Sequence, residues 1–389
     1  VPTLRFKQYH CPWSTYHLSD IAEVVGGGTP DTTVSSLWNG DIQWFTPTEV
    51  GHQKYVSKSA RTITQLGLQK SSAKKLPAGS ILLSSRATIG ECSIAQRECT
   101  TNQGFQNLIP KKDTNNEFLY YLAQTKKHHF IKYASGSTFL EISNSEIKKT
   151  KCTVPGTEEQ TQIAAFLSAL DDRIAVQNKI IEDLKVLKKE LCAKLFGSPL
   201  CGRIIAIEQV ADIYGGYAFN SKAYVNKGKY KIVTIGNVTG DKYISGNYNT
   251  IDRLPNNIQK PQVLSKGDIL VSLTGNVGRI SIVDGDEYLL NQRVAKLGIE
   301  DDLTKEYIYQ YLSNSSFEKD MINAGQGAAQ KNIKNQDILS YCIRFPTDQT
   351  ALENIDKLLS LYDIRITSEK AILSNLILQK SYYLRAMFI

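Results

Sequence analysis

Two stretches of the chain, residues 158–196 and 349–388, place an apolar side chain at every third or fourth position and contain no proline or glycine. That spacing predicts one long helix in each, with at most one break. Ile163, Leu167, Leu170, Ile174, Gln177, Ile181, Leu184, Lys188, Leu191 and Leu195 follow alternating steps of four and three. Ile355, Leu359, Tyr362, Ile366, Glu369, Leu373, Leu376, Lys380, Tyr383 and Met387 do the same. Each series is apolar at eight of its ten positions, and the polar exceptions fall at the same two places. A heptad seam this long calls for a partner helix, and the obvious partner is the other series. One antiparallel register puts Gln177 opposite Lys380 and Lys188 opposite Glu369, so that no seam polar group is left desolvated against leucine. The expectation is an antiparallel coiled coil with a pseudo-two-fold axis at its centre. The alternative is two helices that pack separately, each on its own domain. Each helix also carries a second apolar strip, Ile180 and Leu187 on one, Leu358 and Ile377 on the other.

Elsewhere the pattern shortens. Runs such as Ile42-Gln-Trp-Phe-Thr, Ile81-Leu-Leu-Ser, Lys231-Ile-Val-Thr-Ile and Ile269-Leu-Val-Ser sit between Gly, Pro and Asn turns, with short helices predicted near 118–124 and 307–314. These segments repeat. Leu18-Ser-Asp-Ile-Ala-Glu-Val-Val-Gly-Gly aligns with Ile207-Glu-Gln-Val-Ala-Asp-Ile-Tyr-Gly-Gly, and Leu76-Pro-Ala-Gly-Ser-Ile-Leu-Leu-Ser with Leu264-Ser-Lys-Gly-Asp-Ile-Leu-Val-Ser. Asn102-Gln103 matches Asn291-Gln292, and Ile142, Ile147 and Pro155 match Ile333, Ile338 and Pro346. An offset of roughly 190 residues is too long for a solenoid and implies a duplicated domain. The reading is a mixed α/β (α+β) chain: a first domain over 1–155, a spacer helix over 156–197, a second domain over 198–346 and a second spacer helix over 347–389.

The net charge of +8 is uneven, with +7 in residues 1–155, −1 in 156–197, +2 in 198–346 and none in 347–389. Clusters at Lys70/Lys74/Lys75, Lys126/Lys127 and Lys148/Lys149/Lys151 suggest a surface for a polyanion, against the plainer reading of solvated lysines on loops. Seven cysteines without a C-x-x-C pair predict a reducing, cytoplasmic setting and no structural zinc. No apolar run is long enough to span a membrane, and residues 1–13 lack the apolar core of a signal peptide.

Chemistry is conspicuous by omission. There is no G-x-x-x-x-G-K-[ST] phosphate loop, and none of the 11 prolines adjoins another, as the catalytic loop of amino-methyltransferases requires. Gly26-Gly27-Gly28 resembles a dinucleotide fingerprint only loosely, because Thr29-Pro30 follows it. Pro30-Asp31 with Glu146-Ile-Lys148 is spaced too widely for a nuclease core. Cys92 and Cys99 read as small core residues, and His128-His129 as a solvated edge. What remains is binding. A helix of ~35 residues spans ~50 Å, enough for two domains to reach half-sites one turn of B-DNA (~34–36 Å) apart. Because the copies differ at most positions, the half-sites should differ too.

The whole length resembles the specificity subunit of type I restriction-modification systems. The resemblance rests on Pro2-Thr-Leu-Arg-Phe, on Leu18-x-x-Ile21-Ala22 leading into Gly26-Gly27-Gly28-Thr29-Pro30, and on Trp38-x-Gly40-Asp41-Ile42-x-Trp44. It continues through Gly79-x-Ile81-Leu82, Gly136-Ser137-Thr138 before Ile147 and Pro155, and Glu159-Gln160-x-x-Ile163…Leu167-x-x-Leu170-Asp171. The second copy departs at Gly327-Ala328-Ala329 and at Tyr362-Asp363. The resemblance implies a non-catalytic reader with two target recognition domains, each taking half of a split, asymmetric site in double-stranded DNA. The helices would be spacers that dock two methyltransferase subunits, which bring S-adenosylmethionine and flip the adenine. A separate motor-nuclease subunit would use ATP, so no cofactor is expected on this chain. The alternative is a coiled-coil scaffold that reads no sequence, for which +7 on the first domain would be superfluous. Candidate DNA contacts in the first domain are Lys74, Lys75 and Arg86 for phosphate or guanine, and Asn102, Gln103, Ser137 and Thr138 for polar contacts. In the second they are Asn276, Arg279, Asn291, Gln292, Arg293, Gln326 and Lys331. Arginine grips guanine bidentately, and Asn or Gln grips adenine; Asn102 and Asn291, being shared by both copies, suit a turn as well.

Overall fold

The computed structural model describes residues 2–136, 140–197, 202–325 and 332–388. Ser137, Thr138, Gln326 and Lys331 lie outside the described residues. The chain divides into two compact units, Val1–Gln177 with Ile372–Ile389, and Asn178–Ala371.

In the first unit, a five-stranded sheet runs in the order Ala22–Gly26, Gln106–Pro110, Ile81–Leu83, Cys92–Ala95, Tyr55–Val56. A three-stranded sheet holds Arg61–Ile63, Trp38–Phe45 and Thr100–Thr101, the last two parallel through Trp44 and Thr100. Ser14–His17 pairs antiparallel with Lys151–Val154. The strands read as short apolar runs because both faces are covered: Ile81, Leu82 and Leu83 are all fully buried, in two different cores. Asn115 caps the helix Asn116–Thr125 by accepting a bond from the Phe118 amide.

The second unit repeats this plan. One sheet orders Asp212–Gly215, Val294–Gly298, Ile269–Ser272 and Ile280–Ile282; another orders Asn249–Ile251, Tyr230–Val233, Tyr288–Leu290 and Val263–Leu264. Tyr230–Val233 lies parallel to Tyr288–Leu290, as Trp38–Phe45 does to Thr100–Thr101. Arg203–Ala206 pairs with Cys342–Phe345, and Asp301 caps the helix Asp302–Leu312.

The long helices are continuous, Thr157–Gly197 and Gln349–Ala386, without the break the sequence left open. None of the twenty seam positions is exposed, whereas most positions between them are. In the first unit, Ile163, Leu167 and Leu170 share a core with Met387 and Phe388, and Phe166 meets Tyr383 edge to face, ring centroids 4.9 Å apart. In the second, Cys192 and Phe196 share a core with Leu352, Ile355 and Leu359. Within each unit, residue numbers fall on one helix as they rise on the other, so the packing there is antiparallel.

The polar pairing differs from the expected register. Lys188 bonds Asp363 at 2.5 Å rather than Glu369, and Lys380 bonds Asp171 at 2.6 Å rather than Gln177. Glu369 is engaged by Arg365, one turn earlier on its own helix, at 2.5 Å. The facing rule weighs helix against helix only. Here the α/β body fixes each aspartate first, through Tyr121 on Asp171 and Gln310 on Asp363, and the flexible lysine reaches that preformed carboxylate. No described helix is long and apolar enough to cross a membrane.

Candidate nucleic-acid interface

Gly27 and Gly28, which follow the strand Ala22–Gly26, exist for close approach. A Cβ on Gly27 would lie 2.0 Å from the Asn102 carbonyl oxygen, and one on Gly28 would lie 2.3 Å from the Ala73 nitrogen. The Gly28 amide donates to the Thr101 carbonyl at 2.8 Å, and the Trp44 indole donates to the Gly28 carbonyl at 2.9 Å. This lays the glycine loop on the turn at 102–104 and brings the Thr29 hydroxyl to Gln103, to which it donates. Asn102 spends its side-chain oxygen on the Gly104 amide at 2.9 Å, a turn-forming bond.

The same turn anchors a second loop. The Ser85 amide donates to the Gly104 carbonyl at 2.8 Å, and the Ile142 amide to the Ser85 carbonyl at 3.1 Å. Arg86, Ala87 and Thr88 emerge there, with Ala87 and Thr88 exposed. Ala87 has φ +54°, a left-handed conformation that costs a β-carbon residue roughly 1–2 kcal/mol. Arg86 Nε lies 2.8 Å from Glu141 but off line for a hydrogen bond. It and Ser85 Oγ are buried without a hydrogen-bond partner among the described residues. Strain and orphaned polar atoms concentrate at functional loops. Arg86, Asn102 and Gln103 thus come together. Lys74 and Lys75 follow Ser72–Ala73; both are exposed, and Lys75 is paired with Glu98 at 2.7 Å.

The second unit rebuilds the frame with other side chains. A Cβ on Gly216 would lie 2.1 Å from the Asn291 carbonyl oxygen, and Asn291 accepts from the Arg293 amide at 3.4 Å. The Leu273 amide donates to the Arg293 carbonyl and the Ile333 amide to the Leu273 carbonyl, both at 3.0 Å. The emerging loop is Thr274, Gly275 (φ +71°) and Asn276, and Thr274 Oγ1 is buried without a partner among the described residues. Asn276, Gln292 and Arg293 are exposed beside it. Arg279 turns instead to Glu318 at 3.3 Å, in the place where the first unit has Glu91 bonded to Lys127.

A feature the sequence reading missed sits where each body meets the long helices. In the first unit, Asp171 accepts from the Tyr121 hydroxyl at 2.6 Å and pairs with Lys380, while Lys54 pairs with Glu117 at 3.2 Å and Ser168 donates to Glu117 at 2.7 Å. Burial pulls the Glu117 carboxyl up, but the Tyr55 and Ser168 hydroxyls and Lys54 outweigh it and hold the group below its ordinary value. In the second, Asp363 accepts from Gln310 at 2.7 Å and pairs with Lys188; Lys242 pairs with Glu306 at 3.1 Å and reaches Asp363 at 3.5 Å. The only sequence signals were lysines interrupting an apolar seam at matching places and an aspartate following each of Leu170 and Tyr362.

Among the described residues, no three His, Cys, Asp or Glu groups are placed to hold a metal. Burial pushes the Cys92 and Cys99 thiols up to about 12 and those of Cys152 and Cys192 up to about 11, so none is a ready nucleophile.

A family model described as the type I restriction modification DNA specificity domain matches residues 11–186 and, a second time, 203–377. The chain belongs to that family. Among its specificity-domain relatives is the specificity subunit of the type I restriction enzyme MjaIX from Methanocaldococcus jannaschii, 40% identical over 188 residues, 47% of this chain and 44% of that protein. A type I specificity subunit from Escherichia coli is 28% identical over 188 residues, 46% of this chain and 45% of its own length. The match thus spans about half the length of these two relatives. The MjaVIII specificity subunit of M. jannaschii aligns over 92% of this chain and 90% of its own, at 26% identity. The specificity-domain fold is also that of the solved S subunit from M. genitalium, with a TM-score of 0.57, 16% identity, and coverage of 100% of this chain and 99% of that one. A chain from a solved type I restriction-modification assembly matches at TM-score 0.58 and 16% identity, over 97% of this chain and 98% of its own.

Proposed function

We propose that the chain reads a split, asymmetric site in double-stranded DNA and performs no catalysis of its own. The observation that carries this is the loop frame built twice with unlike exposed residues. Ala87 and Thr88 are exposed on one body and Gly275 and Asn276 on the other, with Arg86 and Thr274 half-buried at the start of each loop. One architecture with two sets of base-facing chemistry reads two different half-sites. Arg86 takes guanine or phosphate, Gln103, Asn276, Gln292 and Arg293 take base edges, and Lys74 and Lys75 steady the backbone. Asn102 and Asn291 shape the turns that present them.

The chemistry belongs to partners. Ile180, Leu187, Leu358, Leu361 and Ile364 are exposed on the helices of the second unit, and Ile377, Leu378 and Tyr382 on those of the first, apolar positions in each unit that suit docking of a methyltransferase subunit. Those subunits supply S-adenosylmethionine and extrude the target adenine, and a motor-nuclease subunit joins through the complex and uses ATP. The cytoplasm is the compartment where such a complex meets DNA. The test is retention of duplex DNA by the chain with its methyltransferase partner, from ~50 mM to ~0.5 M salt, where phosphate contacts weaken steeply. Binding that falls with salt and selects one sequence among competitors is expected. A partner complex that forms but selects no duplex would leave only a scaffold.

A further inference from the structure

The duplicated ionic cluster joins three parts of the chain at one point in each unit. Asp171 sits on the helix that follows the first body, is held by Tyr121 of that body, and pairs with Lys380 of the other long helix. Asp363 follows the second body, is held by its Gln310, and pairs with Lys188 of the other long helix. Body, own helix and opposite helix thus share one carboxylate. We propose that the Asp171–Lys380 and Asp363–Lys188 pairs are positioning residues: they fix the register of the helix pair and hold each recognition loop at one setting against DNA.

The seam cannot do this unaided. With apolar residues at eight of ten positions in both series, a slip of seven residues would still bury mostly leucine and isoleucine. The same slip would carry an ammonium ~10 Å along the helix, away from its carboxylate. The side chains of Asp363 and Lys188 are only 9% and 14% exposed, and those of Asp171 and Lys380 18% and 20%. A charge stranded there is penalised far more than an intact pair is rewarded, so the pair contributes discrimination more than stability. The neighbouring bonds add direction. Lys54 reaches Glu117 and Ser168, and Lys242 reaches Glu306 and Asp363, so turning a body about the helices would break several contacts together.

Two measurements on the full chain test this, the second of which also rests on the DNA-reading proposal. First, cysteines replacing Phe166 and Tyr383, whose rings meet across the helix pair, report register by disulfide trapping without DNA. Asp171→Lys is expected to lower trapping about 5-fold while helicity is kept, with Asp171→Asn intermediate and the exchange Asp171→Lys/Lys380→Asp restoring it. Second, duplexes carrying the wild-type half-sites with the gap changed by one or two base pairs are competed in the presence of the methyltransferase partner. The single variants are expected to lose about 10-fold of the preference for the native gap, and the exchange to regain it. Trapping and gap preference that match wild type in every single variant would overturn the proposal. If the wild-type complex selects no sequence, the DNA reading fails, and trapping alone decides whether the pairs set the register.

Discussion

The two α/β bodies keep one frame and change what hangs on it. Gly27 and Gly216 press against the carbonyls of Asn102 and Asn291, and each of those asparagines ties its own turn. In both, a backbone amide from the next loop docks on that turn, from Ser85 in one and Leu273 in the other. Past this point the likeness ends: Arg86-Ala87-Thr88 stands against Thr274-Gly275-Asn276. Even the shared ion pair is reversed in sign, Glu91 with Lys127 in one body and Arg279 with Glu318 in the other. Backbone contacts and turn bonds have been kept through duplication, as has the exposed glutamine of the turn (Gln103, Gln292), while the side chains of the emerging loop have been replaced. That is the division expected where presentation is common and the text being read is not.

Four sets of experiments sharpen or break the comparison. The largest effect belongs to the cores. Leu167 and Leu359 are both fully buried where a long helix meets a body, so Leu167→Ala and Leu359→Ala should each cost ~2–5 kcal/mol in denaturant unfolding. A large loss in one unit only would show that the units do not use their helices alike.

Next come the glycines. Gly27→Ala and Gly216→Ala place a methyl inside a backbone oxygen's radius and should cost ~3 kcal/mol each. Gly26→Ala and Gly215→Ala, whose nearest neighbour is 3.7 Å away or absent, should stay within about 1 kcal/mol. Equal tolerance at all four would remove the close-approach account.

Then the loops. Arg86→Ala should relax selection at one base pair of the first half-site by ~1–3 kcal/mol and leave the second half-site untouched, as read by competition among single-base variants. Ala87→Gly should raise the first unit's stability by ~1 kcal/mol, because Gly275 already occupies the matching left-handed position in the second.

The last test concerns the thiols. Burial favours neutral Cys92, Cys99, Cys152 and Cys192, whose folded values lie above the ordinary 9.0. Their contribution to stability is therefore full below pH 9 and lost as pH rises through 11 to 12. In a Cys201→Ser background, a thiol reagent at pH 8 should label the exposed Cys11 and Cys342 at once and the four buried thiols only on unfolding. A melting temperature that stays flat from pH 8 to 11 would count against the burial argument.

Much of this could be read from the chain. The heptad steps marked the covered stripe of both helices, because a 3.5-residue repeat has few other physical meanings. The repeat announced two bodies, and the doubling of Asn102 in Asn291 signalled a turn. The ionic clusters could not be read. Lys54, Glu117, Tyr121, Asp171 and Lys380 are scattered along the sequence, and each looks like an ordinary surface group until the fold gathers them. The facing rule failed at Lys188 and Lys380 for the same reason: the competing carboxylates were oriented by residues of the bodies, which no helix pattern contains. Ala87 was invisible as well, since nothing in its identity announces a positive φ.

The most direct test is to sequence the methylated adenines in cells that carry the methyltransferase partner, with and without this chain. The account predicts one split, non-palindromic motif, modified only when the chain is present, whose first half alone changes when residues 86–88 are exchanged for those at 274–276. Identical methylation with and without the chain, or a motif whose two halves change together, would contradict it.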